Sequence, residues 1–372
     1  MKAIVLKPHT THLHIADVPE PQISASNQIK MKVLEVGICG TDREQAEGGR
    51  AEAPAGKDTL IIGHEMFGKV IETGDNVTTA SAGDLGMFTV RRGCGECLAC
   101  LNYRSDMCYT GRYTERGIKG ADGFQCEFVV DSEPHFIGIP ASLKKVGVLT
   151  EPMSVAIKAI DEAMIIQQAR LNAFTPGTNW LQDKKAIIAG IGPIGLMAAF
   201  ALRLRGAKVV GMDIVDEDSL RPRLLKQVGG VYVDGRIVKT TDLDDVCGEA
   251  DFVFEATGIA RLQIELLDSL AVNGVYVATG IPAGERPMTI AAGNVMKQLV
   301  LKNQILLGSV NASILHYKMA VQELQAAVVR WPGVLEQVIT ERLPYENFQQ
   351  SLKPHSMDEI KVVVEWQKNL HG

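Results

Sequence analysis

The chain has 372 residues, which at about 150 residues per domain is too long for one simple core and leaves two domains and a remainder. Apolar residues make up 46% and charged residues 22%, which excludes disorder and fibrous repeats. With 38 basic and 44 acidic side chains, a formal net charge of −6, the chain has no electrostatic footprint for nucleic acid or an anionic membrane, so its expected partners are small molecules or copies of itself.

From residue 1 to about 154, short strand-like runs at 2–6, 28–36, 67–73 and 124–130 are broken by Gly, Pro and Asp, the pattern of a β-rich domain. The first apolar run is too short for the core of a signal peptide, so the expected location is the cytoplasm. Three separated motifs fall in this part: Cys39-Gly40-Thr41-Asp42, Gly63-His64-Glu65 and Glu151-Pro152. A catalytic zinc takes about three protein ligands of mixed sulfur, nitrogen and oxygen type and keeps one open position, a set that Cys39, His64 and a carboxylate would supply. The same residue types also occur as ordinary core residues, and spacing alone leaves both readings open. Between them lies Cys94-x2-Cys97-x2-Cys100-x7-Cys108. Four thiolates at this spacing close a tetrahedral zinc site with no position left for substrate, which reads as a structural zinc. Seven cysteines in all, an odd number, argue against a disulfide framework.

Between about 155 and 310 the pattern changes to apolar strands alternating with helical stretches: 186–189, 194–205, 207–212, 220–227, 251–255, 262–270 and 274–279. That is an α/β pattern, a doubly wound parallel sheet with helices on both faces. The uncharged run 186–202 approaches membrane-spanning length, but Gly190, Gly192, Pro193 and Gly195 divide it into strand, turn and helix. Gly190-Ile191-Gly192-Pro193-Ile194-Gly195 is a dinucleotide fingerprint, with one glycine for the turn, one for approach of the pyrophosphate and one for close helix–strand packing. Asp213 stands 23 residues beyond Gly190 at the end of the next strand, where a carboxylate would bond ribose hydroxyls and repel a 2′-phosphate. NAD is therefore expected over NADP, with Arg221 and Arg223 leaving some room for the latter. The tail, 311–372, carries a helical stretch at 320–329 and a final strand at 360–365, and is too small to be a domain alone.

Gly63-His64-Glu65, followed by Gly68, Gly74 and Val77, resembles the zinc-binding signature of the medium-chain, zinc-dependent alcohol dehydrogenase superfamily, and the other motifs stand in that superfamily's order. Within it, the chain is most similar to the glucose 1-dehydrogenase branch, through Tyr113-Thr114-Glu115-Arg116-Gly117-Ile118, Asp122-Gly123-Phe124, Glu151-Pro152-Met153-Ser154, Glu255-Ala256-Thr257-Gly258 and Gly308-Ser309-Val310-Asn311. The resemblance implies a GroES-like catalytic domain over 1–154 with a zinc lobe at 94–108, interrupted by a Rossmann domain over 155–310 and completed by 311–372. It implies a catalytic zinc on Cys39, His64 and Glu151, with Glu65 close by or exchanging as ligand. It also implies sugar contacts from Glu115, Glu151 and Asn311, cofactor contacts from Thr257 and Asn311, and a homo-oligomer, dimer or tetramer. One departure is that Asp213-Ile214-Val215 stands where the branch often carries a basic pair for the NADP phosphate, in agreement with the NAD reading. The expected reaction is hydride transfer from the anomeric carbon of an aldose to the nicotinamide, giving a lactone. Thr41 is the candidate for the first proton-relay step, and Glu65 and Glu151 are further proton-handling groups. Rival readings are a related polyol, threonine or simple alcohol dehydrogenase, a zinc-free quinone reductase of the same fold, and a non-catalytic nucleotide- and zinc-binding protein.

Overall fold

The computed structural model describes residues 1–171, 179–282, 287–353 and 356–367. The chain falls into two compact units. The first comprises the described residues of Met1–Ser154, Asn311–Gln325 and Leu335–Gly372, and the second Val155–Val310 with Ala326–Val334.

The first unit is built around the strand Gln28–Ile38, which is buried along nearly its whole length. Its sheet runs Phe136–Gly138, Leu85–Phe88, Glu65–Thr73, Gln28–Ile38, Lys361–Glu365, Ile339–Pro344, with Phe128–Ser132 also pairing Gln28–Ile38. The tail thus supplies a strand laid directly beside the centre of this sheet: Lys361–Glu365 pairs antiparallel with Gln28–Ile38, Val364 opposite Val36. Valines and isoleucines dominate there because a branched side chain fits a pleated surface covered on both faces. A separate small sheet of Arg91–Arg92, Thr114–Arg116 and Gly120–Ala121 flanks the cysteine-rich loop.

The second unit holds a six-stranded parallel sheet in the order Val231–Asp234, Lys208–Asp213, Lys185–Ala189, Ala250–Glu255, Leu270–Ala278, Ile305–Gly308. The first strand in sequence lies inside the sheet, with neighbours leaving it in both directions, the doubly wound order that opens a cofactor crevice at the carboxyl ends of the strands. Helix Pro193–Leu204 is buried from Gly195 to Leu202, its alanines at 198, 199 and 201 letting its backbone lie close to the sheet.

Local boundaries differ from the sequence expectation where backbone bonds go elsewhere. The run expected at 124–130 is regular only from Phe128, because Phe124 and Gln125 instead bond the carbonyls of Gly63 and Ile62. The helical stretch expected at 262–270 is helix Ala260–Glu265, a tight turn Leu266–Ser269 and then a strand opening at Leu270. Helix Thr150–Leu171 escaped the sequence reading because it is buried on almost every side from Glu151 to Ala163 and shows no one-sided apolar stripe. Among the described residues, no helix is long and apolar enough to cross a membrane.

Candidate functional site

Strand Gln28–Ile38 delivers Cys39 to the head of helix Gly40–Ala46, where it serves as N-cap. Its Sγ accepts from the Thr41 amide at 3.2 Å, and Asp42 Oδ2 accepts from the Cys39 amide at 2.9 Å, so the cap closes in both directions. Gly63, at φ +89°, turns the chain just before His64, and a Cβ there would come within 2.5 Å of the Gln125 side chain. His64 Nε2 lies 3.0 Å from Cys39 Sγ. Its Nδ1 faces Asp42 Oδ1 at 3.6 Å, an ion-pair distance longer than a hydrogen bond, and among the described residues both buried atoms lack a hydrogen-bond partner. Glu65 stands opposite Gly37 across the sheet, and a Cβ at 37 would lie 2.1 Å from Glu65 Oε2, so a residue without one is needed. One ligand atom from each of Cys39, His64 and Glu65 falls within 4.8 Å of the others.

The electrostatics of this trio favour a cation. Burial alone would depress His64, but the charges of Cys39 and Asp42 outweigh it and hold the imidazolium well above its usual range. Burial pushes the Asp42 carboxyl up, with the His64 charge opposing. Glu151, at the start of helix Thr150–Leu171, is pushed up to about 7 by burial and by the charge of Glu65, against the pull of His64 and Lys361. Sequence reasoning missed Lys361, which lies almost fully buried with Nζ 2.8 and 2.7 Å from the two Glu65 oxygens and 3.0 Å from the Ile38 carbonyl. No local signal announces it, since 296 residues separate the pair. Thr41 approaches the trio through its amide, while its hydroxyl lies 3.4 Å from an Arg50 nitrogen. Two of the three sugar-contact candidates meet: Asn311, held at φ +62°, donates Nδ2 to Glu115 Oε1 at 2.7 Å.

The sulfurs of Cys94, Cys97, Cys100 and Cys108 also lie within 4.8 Å of one another, with Cys94 and Cys100 3.9 Å apart. A tetrahedral zinc with bonds of about 2.3 Å places its sulfurs about 3.8 Å apart, so the set fits that ion. Cys94 is lowered to about 6 by a hydrogen bond from the Thr110 hydroxyl, whereas Cys100 is pushed up to about 12 by burial, so the four sulfurs do not carry charge together without a cation.

In the second unit each glycine of the fingerprint has its own reason. Gly190 turns at φ +84°, and a Cβ on it would come 2.9 Å from the Thr257 methyl. Gly195 would collide with the Gly190 carbonyl at 1.9 Å, while the space around Gly192 is open to a phosphate. Pro193 and Ile194 form the first turn of the helix behind it. Asp213, the last residue of its strand, accepts from the amides of Ile191 at 3.0 Å and Ile214 at 2.7 Å, and Arg221 stands 3.6 Å away. Thr257 is pinned by buried Glu255, whose Oε1 accepts from its amide at 2.6 Å and its hydroxyl at 2.5 Å.

Residues 144–366 match the family "Glucose dehydrogenase C-terminus", and residues 25–141 match "Alcohol dehydrogenase GroES-like domain". The chain belongs to the glucose dehydrogenase branch of the zinc-containing medium-chain dehydrogenase/reductase superfamily. Its membership of this branch extends over full length. The glucose 1-dehydrogenase of Methanocella arvoryzae is 35% identical over 98% of this chain and 99% of that protein. The glucose 1-dehydrogenase of Thermoproteus tenax is 35% identical over 99% of this chain and 100% of that one. The structure of Haloferax mediterranei glucose dehydrogenase in complex with NADP, zinc and gluconolactone superposes with a TM-score of 0.87 at 30% identity, over 99% of this chain and 100% of that one. Like other members of the branch, the chain is an oxidoreductase of the NAD(P)-dependent, zinc-containing, glucose 1-dehydrogenase-like class.

Proposed function

We propose that the chain oxidises the anomeric carbon of a glucose-like aldose to the lactone, with NAD preferred to NADP and with one catalytic and one structural zinc per chain. The observation that carries this reading is the mixed trio of thiolate, imidazole and carboxylate at Cys39, His64 and Glu65, a donor set that leaves a four-coordinate zinc one open position. Zinc held there supplies Lewis acidity that eases loss of the substrate hydroxyl proton. Either Glu65, shared with Lys361, or the neighbouring Glu151 completes the set as the carboxylate.

The chain's own residues do the rest. Asp42 orients His64 from behind. The Thr41 hydroxyl can accept a proton and donate its own, and whichever of Glu65 and Glu151 is not a zinc ligand is a further proton acceptor beside it. Glu115 offers an acceptor and Asn311 a donor to sugar hydroxyls. In balance, the C1 hydrogen leaves as hydride to the cofactor, the hydroxyl proton leaves to solvent, and lactone and reduced cofactor result. The acidic end of the second strand, Asp213 followed by Asp216, Glu217 and Asp218, supports NAD, and Arg221 is the group that would favour NADP.

The test is a panel of aldoses, polyols and simple alcohols against both cofactors, with zinc measured on the same samples. Cys39→Ala is expected to abolish turnover and lower zinc from two to one per chain, and retained activity with one zinc would sink the reading. A higher kcat/KM with NADP would overturn the role given to Asp213. A dimer or tetramer is the expected assembly, checked by light scattering.

A further inference from the structure

The four-cysteine lobe and the Glu115–Asn311 pair are joined by one side chain. Arg91 lies on the short strand Arg91–Arg92 directly opposite Glu115 in the antiparallel register, so the two side chains share a face. Its Nε and Nη2 donate to Glu115 Oε1 at 3.1 and 2.9 Å, and its Nη1 donates to the Asp106 carbonyl at 2.9 Å. Asp106 sits in the tight turn Ser105–Met107 that leads straight into Cys108, and Arg104 grips its carboxylate at 2.8 Å. At the other end of the lobe, Arg92 and Gly93 separate Arg91 from Cys94, and a Cβ on Gly93 would come within 2.3 Å of Cys100 Sγ. The guanidinium also lies 4.0 Å from the Tyr113 ring, and neither Arg91 nor Glu115 is more than slightly exposed.

The consequence lies in how the Glu115 carboxylate is turned. Three donor nitrogens, two from Arg91 and one from Asn311, converge on Oε1. Among the described residues Oε2 takes no hydrogen bond from the protein, and it is not sealed from solvent. A carboxylate fixed on one oxygen by donors from two directions presents the other in a single direction.

We infer that Arg91 is a positioning residue for sugar binding: it ties the turn before Cys108 to Glu115 Oε1 and so makes the folded four-cysteine lobe set the direction in which Glu115 Oε2 meets a substrate hydroxyl. This rests on the reading of Glu115 as a sugar contact. It gives the lobe a task in substrate recognition besides stability. Arginine suits that task because its planar fork serves two acceptors at once, which a lysine ammonium on a flexible stem does not.

The experiment compares Arg91→Gln, Arg91→Lys and Glu115→Gln in the full-length, zinc-replete protein, with glucose and NAD as the varied ligands. Arg91→Gln is expected to raise the KM for glucose about tenfold, the loss of a charged hydrogen bond, with kcat changed by less than about threefold. The KM for NAD and the zinc per chain should stay at the parent values, and Arg91→Lys should recover part of the affinity. Glucose should also shift the melting temperature of Arg91→Gln less than that of the parent, a readout independent of turnover. An unchanged glucose KM in Arg91→Gln overturns the inference, as does a parallel fall of kcat, NAD affinity and zinc content, which would mark a scaffold residue only. If Arg91→Gln fails to fold, Arg91→Lys carries the same comparison. A raised glucose KM in Glu115→Gln with none in the Arg91 variants overturns the role of Arg91 alone, whereas an unchanged KM in Glu115→Gln removes the sugar reading beneath it.

Discussion

The two metal-ligand sets of the first unit are opposites in construction. The four cysteines come from a single stretch, 94–108, with all four sulfurs supplied by one local loop. The trio of Cys39, His64 and Glu65 is gathered from a helix cap, a glycine turn and a strand, and its carboxylate is gripped by Lys361 from the far end of the chain. A local loop of four like donors can be closed by its ion with little help from the rest of the fold, so it suits stability. A dispersed set of unlike donors is held open by the fold, so it suits chemistry.

That contrast is broken most sharply by a pair of variants. Cys97→Ser is expected to release the lobe's zinc and lower the melting temperature by about 10 °C or more, because the metal-binding energy there is folding energy. Cys39→Ala should move it by only a few degrees while removing the other zinc. Equal shifts in the two variants would erase the distinction. Next in size is Lys361→Met, which leaves Glu65 buried beside Asp42 and Glu151 without its ammonium partner. Loss of one member of a buried ion pair costs about 3–5 kcal/mol, read by urea unfolding, and adding Glu65→Gln should recover much of it. No recovery would show that Lys361 acts through packing instead of charge.

The smallest effect is a proton count. At pH 7 the Cys94 sulfur, lowered to about 6, is already a thiolate, while Cys100, pushed up to about 12, keeps its proton until a metal arrives. Zinc binding to the lobe must therefore eject a proton, and the affinity must rise with pH. Calorimetry of the reduced, metal-stripped Cys39→Ala protein in buffers of different ionisation enthalpy measures this directly. Zero release would contradict the reading of Cys100 as a protonated thiol in the metal-free lobe.

What could be read from the sequence follows the same division between local and dispersed. The cysteine spacing and the Gly190–Gly195 turn are each written within a few residues, and the structure gives Gly190 and Gly195 separate steric reasons while leaving open space around Gly192. Cys39 and His64 needed a family resemblance to be linked, and it put Glu151 first and Glu65 second as their carboxylate, since nothing local ties 39 to 64. Asp42 carried a faint signal as the third residue of the helix that Cys39 caps, where an acidic side chain closes a capping box. Lys361 and Arg91 carried none. A buried lysine in Lys361-Val362-Val363-Val364 reads as an ordinary strand start, and Arg91 owes its place to a two-residue strand that no periodicity can show.

The place of Lys361–Glu365 beside Gln28–Ile38 also sets a timetable for the nascent polypeptide. Ribosomes add roughly 5–20 residues per second, so the 296 residues between Glu65 and Lys361 take roughly 15–60 s to make. All six strands of the parallel sheet have been synthesised by residue 308, before that interval ends. Throughout it, the Glu35–Ile38 end of the central strand has an unmated edge and Glu65 has no ammonium to lie against. The half of the molecule translated first is therefore the half that finishes folding last.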